Sequence, residues 1–337
     1  MKNIILLTAL LLFSCQPVET DYYGFPADFP ELPNTGGRGQ GEPLQGFGGA
    51  AGKNRQAHRQ IIEISGKRPV ILLHGNGGRA SYWLNSEATG FSLYNGLKQK
   101  IYTDAHIWAV SYLGEPPLRD RSGPARKNME DVRRFIDAVR EYTGSEKVDI
   151  IALSLGAHMA RGYILGLQAD GSFDPQDRRL DAVGSMILIS GANYGLGKLR
   201  DSDWNSRGPL FDDGRRYQYL QNNFTLFDGE VDLTPGDIHY YCLYARYDFP
   251  QALYEWAEGG HPLAPENTSR LGDADYFEIP PDYGGNEYYI ARYDDPWYGS
   301  FERPNPYIAL NHKYSSRDAQ LFEDYIFPNL DLSAISR

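Results

Sequence analysis

The stretch V-D-I-I-A-L-S-L-G-A-H-M-A-R-G-Y-I, residues 148–164, decides how this chain folds. From Val148 to Leu153 it is apolar except for Asp149, the pattern of a strand buried on both faces of a parallel sheet. Ser154 follows at once. Leu155, Ala157, Met159, Ala160, Tyr163, Ile164 and Leu165 then recur at helical spacing. The chain therefore runs strand, serine, helix, with almost no residues left for a turn. Such a turn holds the serine in a strained backbone conformation at the carboxyl edge of a sheet and exposes its hydroxyl. The helix behind it aims free N–H groups and a partial positive charge at the same spot, where an oxyanion would be stabilised. Ala152 and Gly156 are the small residues that let strand and helix approach, in the pattern A-x-S-x-G. The bland alternative is a helix N-capped by Ser154, since serine is a preferred cap.

Upstream, R-P-V-I-L-L at 68–73 reads as the next buried strand and runs straight into His74-Gly75-Asn76-Gly77-Gly78. A helix over 91–100, a strand over 105–112 and a proline-paired loop over 114–124 follow. Residues 127–142 form an amphipathic helix, with Met129, Val132, Phe135, Ile136, Val139 and Tyr142 on one face and Gly144 as its stop. Downstream, V-G-S-M-I-L-I-S at 183–190 is another buried strand. Repeated alternation of strands and helices predicts an α/β fold, a mostly parallel sheet with helices on both faces. After Ser190 the regularity fails. Residues 191–237 are long, polar and aromatic, which reads as a cap or substrate-binding insertion. Residues 240–245 are a further strand, and a terminal amphipathic helix is expected to be capped around Ser315 or Ser316.

On the elbow at 152–156 the chain resembles the α/β-hydrolase family of serine hydrolases, and within it bacterial lipases and extracellular polyhydroxyalkanoate depolymerases, some of which also carry alanine at the first small position. The resemblance implies an α/β-hydrolase fold with Ser154 as nucleophile. It implies that the amides of Asn76 and Leu155 form the oxyanion hole, with His74 ordering the glycine-rich loop. It also implies that the region after residue 190 covers the active site. A serine hydroxyl needs an imidazole as base and a carboxylate to orient that imidazole. In this fold the three come in the order serine, acid, histidine. The last of the seven histidines, His312, sits in A-L-N-H-K-Y, after the final strand and before the final helix, and is the expected base, with His261 next. His158 lies one helical turn beyond Ser154, and the helix would carry it away from the hydroxyl. Asp248, just past the 240–245 strand, is the expected acid, with Asp237 and Asp282 as competitors.

The expected reaction is hydrolysis of carboxylic esters with an apolar or polymeric acyl part, without an organic cofactor. Acylglycerols, polyesters (as in polyhydroxyalkanoate depolymerases) and carbohydrate esters all remain open, as does an amidase or acyltransferase on the same machinery. From another class, a non-catalytic surface-binding lipoprotein would keep the fold and lose the chemistry. The 337 residues suit one domain with insertions. A net charge of −11 argues against nucleic acid as a partner, because phosphate binding needs clustered Lys and Arg. No C-x-x-C, H-E-x-x-H or paired histidines suggest a transition-metal site.

Residues 1–15 read as a leader, with Lys2, an apolar core over 4–13 and L-F-S-C at its end. That ending resembles the lipobox of bacterial lipoproteins, which implies lipidation at Cys15 and a membrane anchor in the cell envelope. Gln16 implies the outer membrane by the same resemblance. The other cysteine, Cys242, reads as a small buried core residue. Residues 16–56, rich in Gly and Pro, are expected to form a tether or irregular arm whose aromatics pack in part on the domain at 57–337.

Overall fold

The structure is a computed structural model. It describes residues 23–35, 40–75, 78–86, 89–112, 128–170, 172–191, 193, 232–245, 269–280 and 315–330. Among these residues, one sheet is built from β1 (Gly46–Gly48), β2 (Val70–Leu73), β3 (Ile107–Val110), β4 (Val148–Leu153), β5 (Val183–Ile189), β6 (His239–Ala245) and β7 (Asp275–Ile279). The order across it is β1-β3-β2-β4-β5-β6-β7. All pairs are parallel except β1 with β3.

The helices are α1 (Arg55–Ser65), α2 (Leu93–Gln99), α3 (Met129–Thr143) and α4 (Leu155–Leu165). From β2 the chain steps sideways to β3, then crosses back over β2 to β4 and continues the other way. Right-handed crossovers put helices of opposite steps on opposite faces. The packing agrees. Alternate strand residues Val70, Leu72, Ile151, Leu153, Ile187 and Ile189 pack with Leu93 and Leu97 of α2 and with Phe322 and Ile326. The residues between them, Ile71, Leu73, Ile150, Ala152, Met186 and Leu188, pack with Val132, Phe135 and Val139 of α3 and Tyr163 of α4. The period of two thus divides each strand between two cores, which is why the central strands read as unbroken apolar runs. The direction of the connections reverses between β2 and β4, the kind of switch point beyond whose carboxyl strand ends open α/β sheets hold their ligands.

Asp149, the one charge in the β4 run, is fully buried. Its Oδ1 accepts from Arg68 Nε at 2.8 Å and from the Ser185 amide at 2.8 Å. The second bond lies where the β4–β5 register shifts, between Val148 and Ile150. Gly144 ends α3 at φ 73°, as its position after the amphipathic run predicts.

Three expectations change. The arm is not wholly irregular: β1 lies within it and α1 begins before residue 57, while Phe29 and Phe47 pack into the core as expected of its aromatics. β7 lies beyond the 240–245 strand, where the sequence pattern predicts no further strand, because as a partly exposed edge strand it carries no apolar run. The terminal helix is capped by Asp318, whose side chain accepts from the Leu321 amide at 2.8 Å, and it passes from α (Ala319–Leu321) into a π turn (Phe322–Ile326). Ser315 and Ser316 are instead buried in side-chain contacts.

Candidate active site

Ser154 sits between β4 and α4 with φ 55° and ψ −116°. It is one of two non-glycine residues with positive φ among the described residues, the other being Ser190 at 47°. A side chain in that region is strained by about 1–3 kcal/mol and persists only where the surroundings hold it. Here they do. The Ser154 amide donates to Ile189 O at 2.9 Å, extending the β4–β5 ladder into the turn, while the Ala157 amide donates to Ser154 O at 3.0 Å and starts the helix. No side-chain capping bond is made by Ser154, so the N-cap alternative does not describe this residue.

The tightness of the turn shows in its glycines. A Cβ on Gly156 would lie 2.2 Å from Leu73 O and 2.9 Å from His74 O. α4 therefore starts against the backbone of β2. A Cβ on Gly75 would lie 3.1 Å from Ser154 Cβ, so the turn after β2 lies beside the serine. Leu155 opens α4, and the first amides of a helix have no intrahelical acceptor. Ala152, by contrast, turns its methyl into the core under α3 and α4. Its departure from glycine does not touch the bend.

His74 is buried, with Nδ1 2.8 Å from Gly75 O. Its ring stacks on Tyr112 at 4.2 Å and 4°, and Tyr112 OH donates to His74 O at 2.6 Å. The ring is thus built into the loop it was expected to order. His158 lies within the fully buried α4, and burial together with the nearby Arg161 cation holds it well below its ordinary pKa. His58 bonds Asn54 O and the Ala50 amide. His106 accepts from the Thr103 amide through Nδ1 at 3.1 Å, and its Nε2 lies 2.8 Å from Ser65 Oγ; burial pushes its pKa down to about 4. His239 opens β6 and bonds Asn329. Each of these five rings has a structural role. His312 and His261 lie outside the described residues, as do Asn76, Asp248, Asp282 and Cys15.

The neighbourhood of two of those positions is described. β6 ends at Ala245, at the same sheet edge as Ser154, three residues before Asp248. Asp237 precedes β6 and lies at the opposite edge. Ser315, three residues after His312, has its Oγ 3.5 Å from the Oγ of Ser190, which directly follows β5. Ser316 bonds Tyr82 OH at 2.8 Å, and the Arg317 guanidinium lies 3.9 Å from the centre of that ring. Cys242 is buried, and burial raises its thiol to about 11. No group of three His, Cys, Asp or Glu side chains among the described residues could hold a metal ion.

A mostly parallel sheet whose direction reverses beside a central strand, with that strand delivering a left-handed serine to a buried helix, is the α/β-hydrolase fold. This chain adopts it. Residues 67–203 match the family model described as lipase (class 2), a span that includes β2, the serine turn and β5. A curated relative, the 2-hydroxy-6-oxononadienedioate/2-hydroxy-6-oxononatrienedioate hydrolase 1 of Dechloromonas aromatica, is 28% identical over 131 residues. The match covers 39% of this chain, and the chain spans only 38% of that relative's length. Among solved structures, a lipase-esterase related protein from Clostridium acetobutylicum is similar at a TM-score of 0.42, with 12% identity, over 78% of this chain and 94% of that one. A carboxylesterase from Bacillus subtilis is similar at 0.39, with 13% identity, over 81% and 95%.

Proposed function

We propose that this protein is a serine carboxylic-ester hydrolase of lipase and esterase type, anchored in the bacterial envelope by lipid. The observation that carries the reading is the strained backbone of Ser154 at the sheet edge, without any capping bond to explain it. In this mechanism Ser154 Oγ attacks the acyl carbon and its proton passes to His312. Asp248 accepts the other imidazole N–H and stabilises the imidazolium. The amides of Asn76 and Leu155 hold the oxyanion, each contributing about 3 kcal/mol. Collapse of the tetrahedral intermediate breaks the ester C–O bond, and the leaving alcohol takes the proton from His312. Water then attacks the acyl-serine with His312 again as base, and the carboxylic acid leaves.

Two features support the roles of the distant partners. Each of the five described histidines is buried or hydrogen-bonded as part of the fold. Ala245, which ends β6, and Ser315, beside Ser190, both lie at the edge that carries Ser154, and the three residues that separate each from Asp248 or His312 in sequence span up to about 10 Å. In this reading part of the insertion at 191–237 covers the site and helps to choose the acyl group. Cys15 carries the acyl chains that tether the protein, with several chains needed for stable anchoring.

A fluorophosphonate probe tests the chemistry. A single label at Ser154, absent from Ser154→Ala, is expected, with turnover lowered by about 10⁶-fold in that variant. Undiminished ester hydrolysis by Ser154→Ala would refute the reading. Parallel assays on p-nitrophenyl esters, matched amides, polyhydroxybutyrate films and acetylated polysaccharide separate the substrate classes. Labelling cells with an alkynyl fatty acid tests the anchor, and incorporation that survives Cys15→Ala would refute it.

A further inference from the structure

Ser154 and Ser190, the two non-glycine residues with positive φ among the described residues, stand at the carboxyl ends of neighbouring strands. One peptide group joins them. The carbonyl of the Ile189–Ser190 peptide accepts from the Ser154 amide at 2.9 Å, and its N–H donates to Leu243 O at 2.8 Å. That group therefore ties β4 to β6 across the end of β5. Immediately beyond it, a φ of 47° at the fully buried Ser190 turns the chain aside. The turn brings the chain onto the nucleophile helix. A Cβ on Gly191 would lie 2.7 Å from Ala157 Cβ. One helical turn further along α4, Arg161 Nη1 donates to Asn193 O at 2.5 Å.

We propose that Ser190 is a positioning residue for the nucleophile: its left-handed backbone holds the Ile189–Ser190 peptide where it fixes the Ser154 amide, and so keeps the Ser154 hydroxyl presented for attack. The proposal rests on the ester-hydrolase reading. A peptide group is planar, so a carbonyl held on one strand and an N–H held on another fix its whole orientation. The strain at Ser154 persists only where the surroundings over-determine it, and the bond to Ile189 O is one of the constraints that do so. Beyond residue 190 the chain is held by Ala157 and Arg161. A φ relaxed toward the ordinary range would therefore swing the Ile189–Ser190 peptide instead, and the Ser154 amide with it. Any residue with a Cβ resists the left-handed region, and here two adjoining positions adopt it together. The competing account is that Ser190 serves through its hydroxyl, whose Oγ lies 3.5 Å from Ser315 Oγ.

Two variants separate backbone from hydroxyl. Ser190→Gly loses the hydroxyl and adopts positive φ freely. Ser190→Thr keeps the hydroxyl and, being β-branched, resists positive φ. For each, the rate and the endpoint of fluorophosphonate labelling are measured, beside kcat and KM on p-nitrophenyl butyrate and hydrogen exchange at the Ser154 amide. The endpoint counts competent molecules, so a rate normalised to it is blind to a merely structural loss of folded protein. In Ser190→Thr the normalised labelling rate and kcat should fall about tenfold with KM unchanged, since a misplaced nucleophile slows the chemical step. Exchange at Ser154 should speed up. In Ser190→Gly all of these should stay within about twofold of the parent. A loss in Ser190→Gly as large as that in Ser190→Thr would overturn the proposal in favour of the hydroxyl. Parent-like normalised rates in Ser190→Thr would overturn it as well. If Ser190→Thr fails to fold, Ser190→Ala replaces it. Like glycine it lacks the hydroxyl, and unlike glycine it resists positive φ, so its labelling should be about threefold slower than that of Ser190→Gly; equal rates would overturn the proposal. Failure of the ester-hydrolase reading would appear separately, as an unlabelled parent protein.

Discussion

Gly156→Ala should damage this protein far more than Ala152→Gly, although both exchange the same methyl group beside the same serine. The new Cβ of Gly156→Ala would lie 2.2 Å from Leu73 O and 2.9 Å from both Leu73 C and His74 O. All three neighbours are backbone, at the end of a strand paired on both sides by β3 and β4. No side chain can swing away, so α4 and β2 must part by about 1 Å to reach ordinary contact. Overpacking of this kind costs about 3 kcal/mol, which lowers the melting temperature by roughly 4 °C in a chain of 337 residues. A displacement of about 1 Å at the turn should also reduce kcat/KM by about 10²-fold. Ala152→Gly loses one buried methyl from the α3/α4 core and loosens a strand, together about 1.5 kcal/mol. It should leave turnover within about twofold. Thermal unfolding and p-nitrophenyl butyrate hydrolysis on the two variants settle the matter. A Gly156→Ala protein within about 1 kcal/mol of the parent and fully active would refute the close-approach argument. So would an Ala152→Gly protein as inactive as Gly156→Ala.

Ser154→Gly should abolish ester turnover while raising stability by about 1 kcal/mol, because relief of the strained φ outweighs glycine's added chain entropy; an unfolding midpoint below that of Ser154→Ala would argue against strain. Below pH 6.5 the protein should lose stability in part through His106, whose burial lowers its pKa to about 4. The unfolded chain takes up that proton first, so the contribution is complete above about pH 6.5 and about 3 kcal/mol is lost by about pH 4. Urea midpoints for His106→Gln should therefore fall less steeply with acid than the parent's, and parallel curves would exclude the assignment. Arg68→Met should cost about 3 kcal/mol, since it removes the guanidinium from the buried Asp149 carboxylate; a loss under about 1 kcal/mol would mean the pair is not holding the β4–β5 register.

The parallel core was legible because burial on two faces writes itself into sequence as continuous apolar runs, and each run at 70–73, 107–110, 148–153 and 183–189 is a strand in the structure. β7 escaped because an edge strand with exposed Asp275 and Tyr276 needs no such run. β1 escaped because three residues, G-F-G, hold their place only through the antiparallel ladder to β3. The cap falls at Asp318 and not at Ser315 or Ser316, a choice the sequence leaves open because serine is equally suited to capping and to burial. Only contacts with Ser190 and Tyr82, distant in sequence, decide between the two.

By itself the sequence determined the order of the central strands and the helices between them, the serine at their sharpest junction and the glycine behind it. These follow from local spacing and from how small a residue must be where two backbones meet. Only the tertiary structure decided that Ser154 carries positive φ and makes no cap, that Asp149 is answered by Arg68, and that the Ile189–Ser190 peptide ties the Ser154 amide to Leu243. Those outcomes depend on which carbonyl, carboxylate or amide arrives from far along the chain, and no local pattern encodes such an arrival.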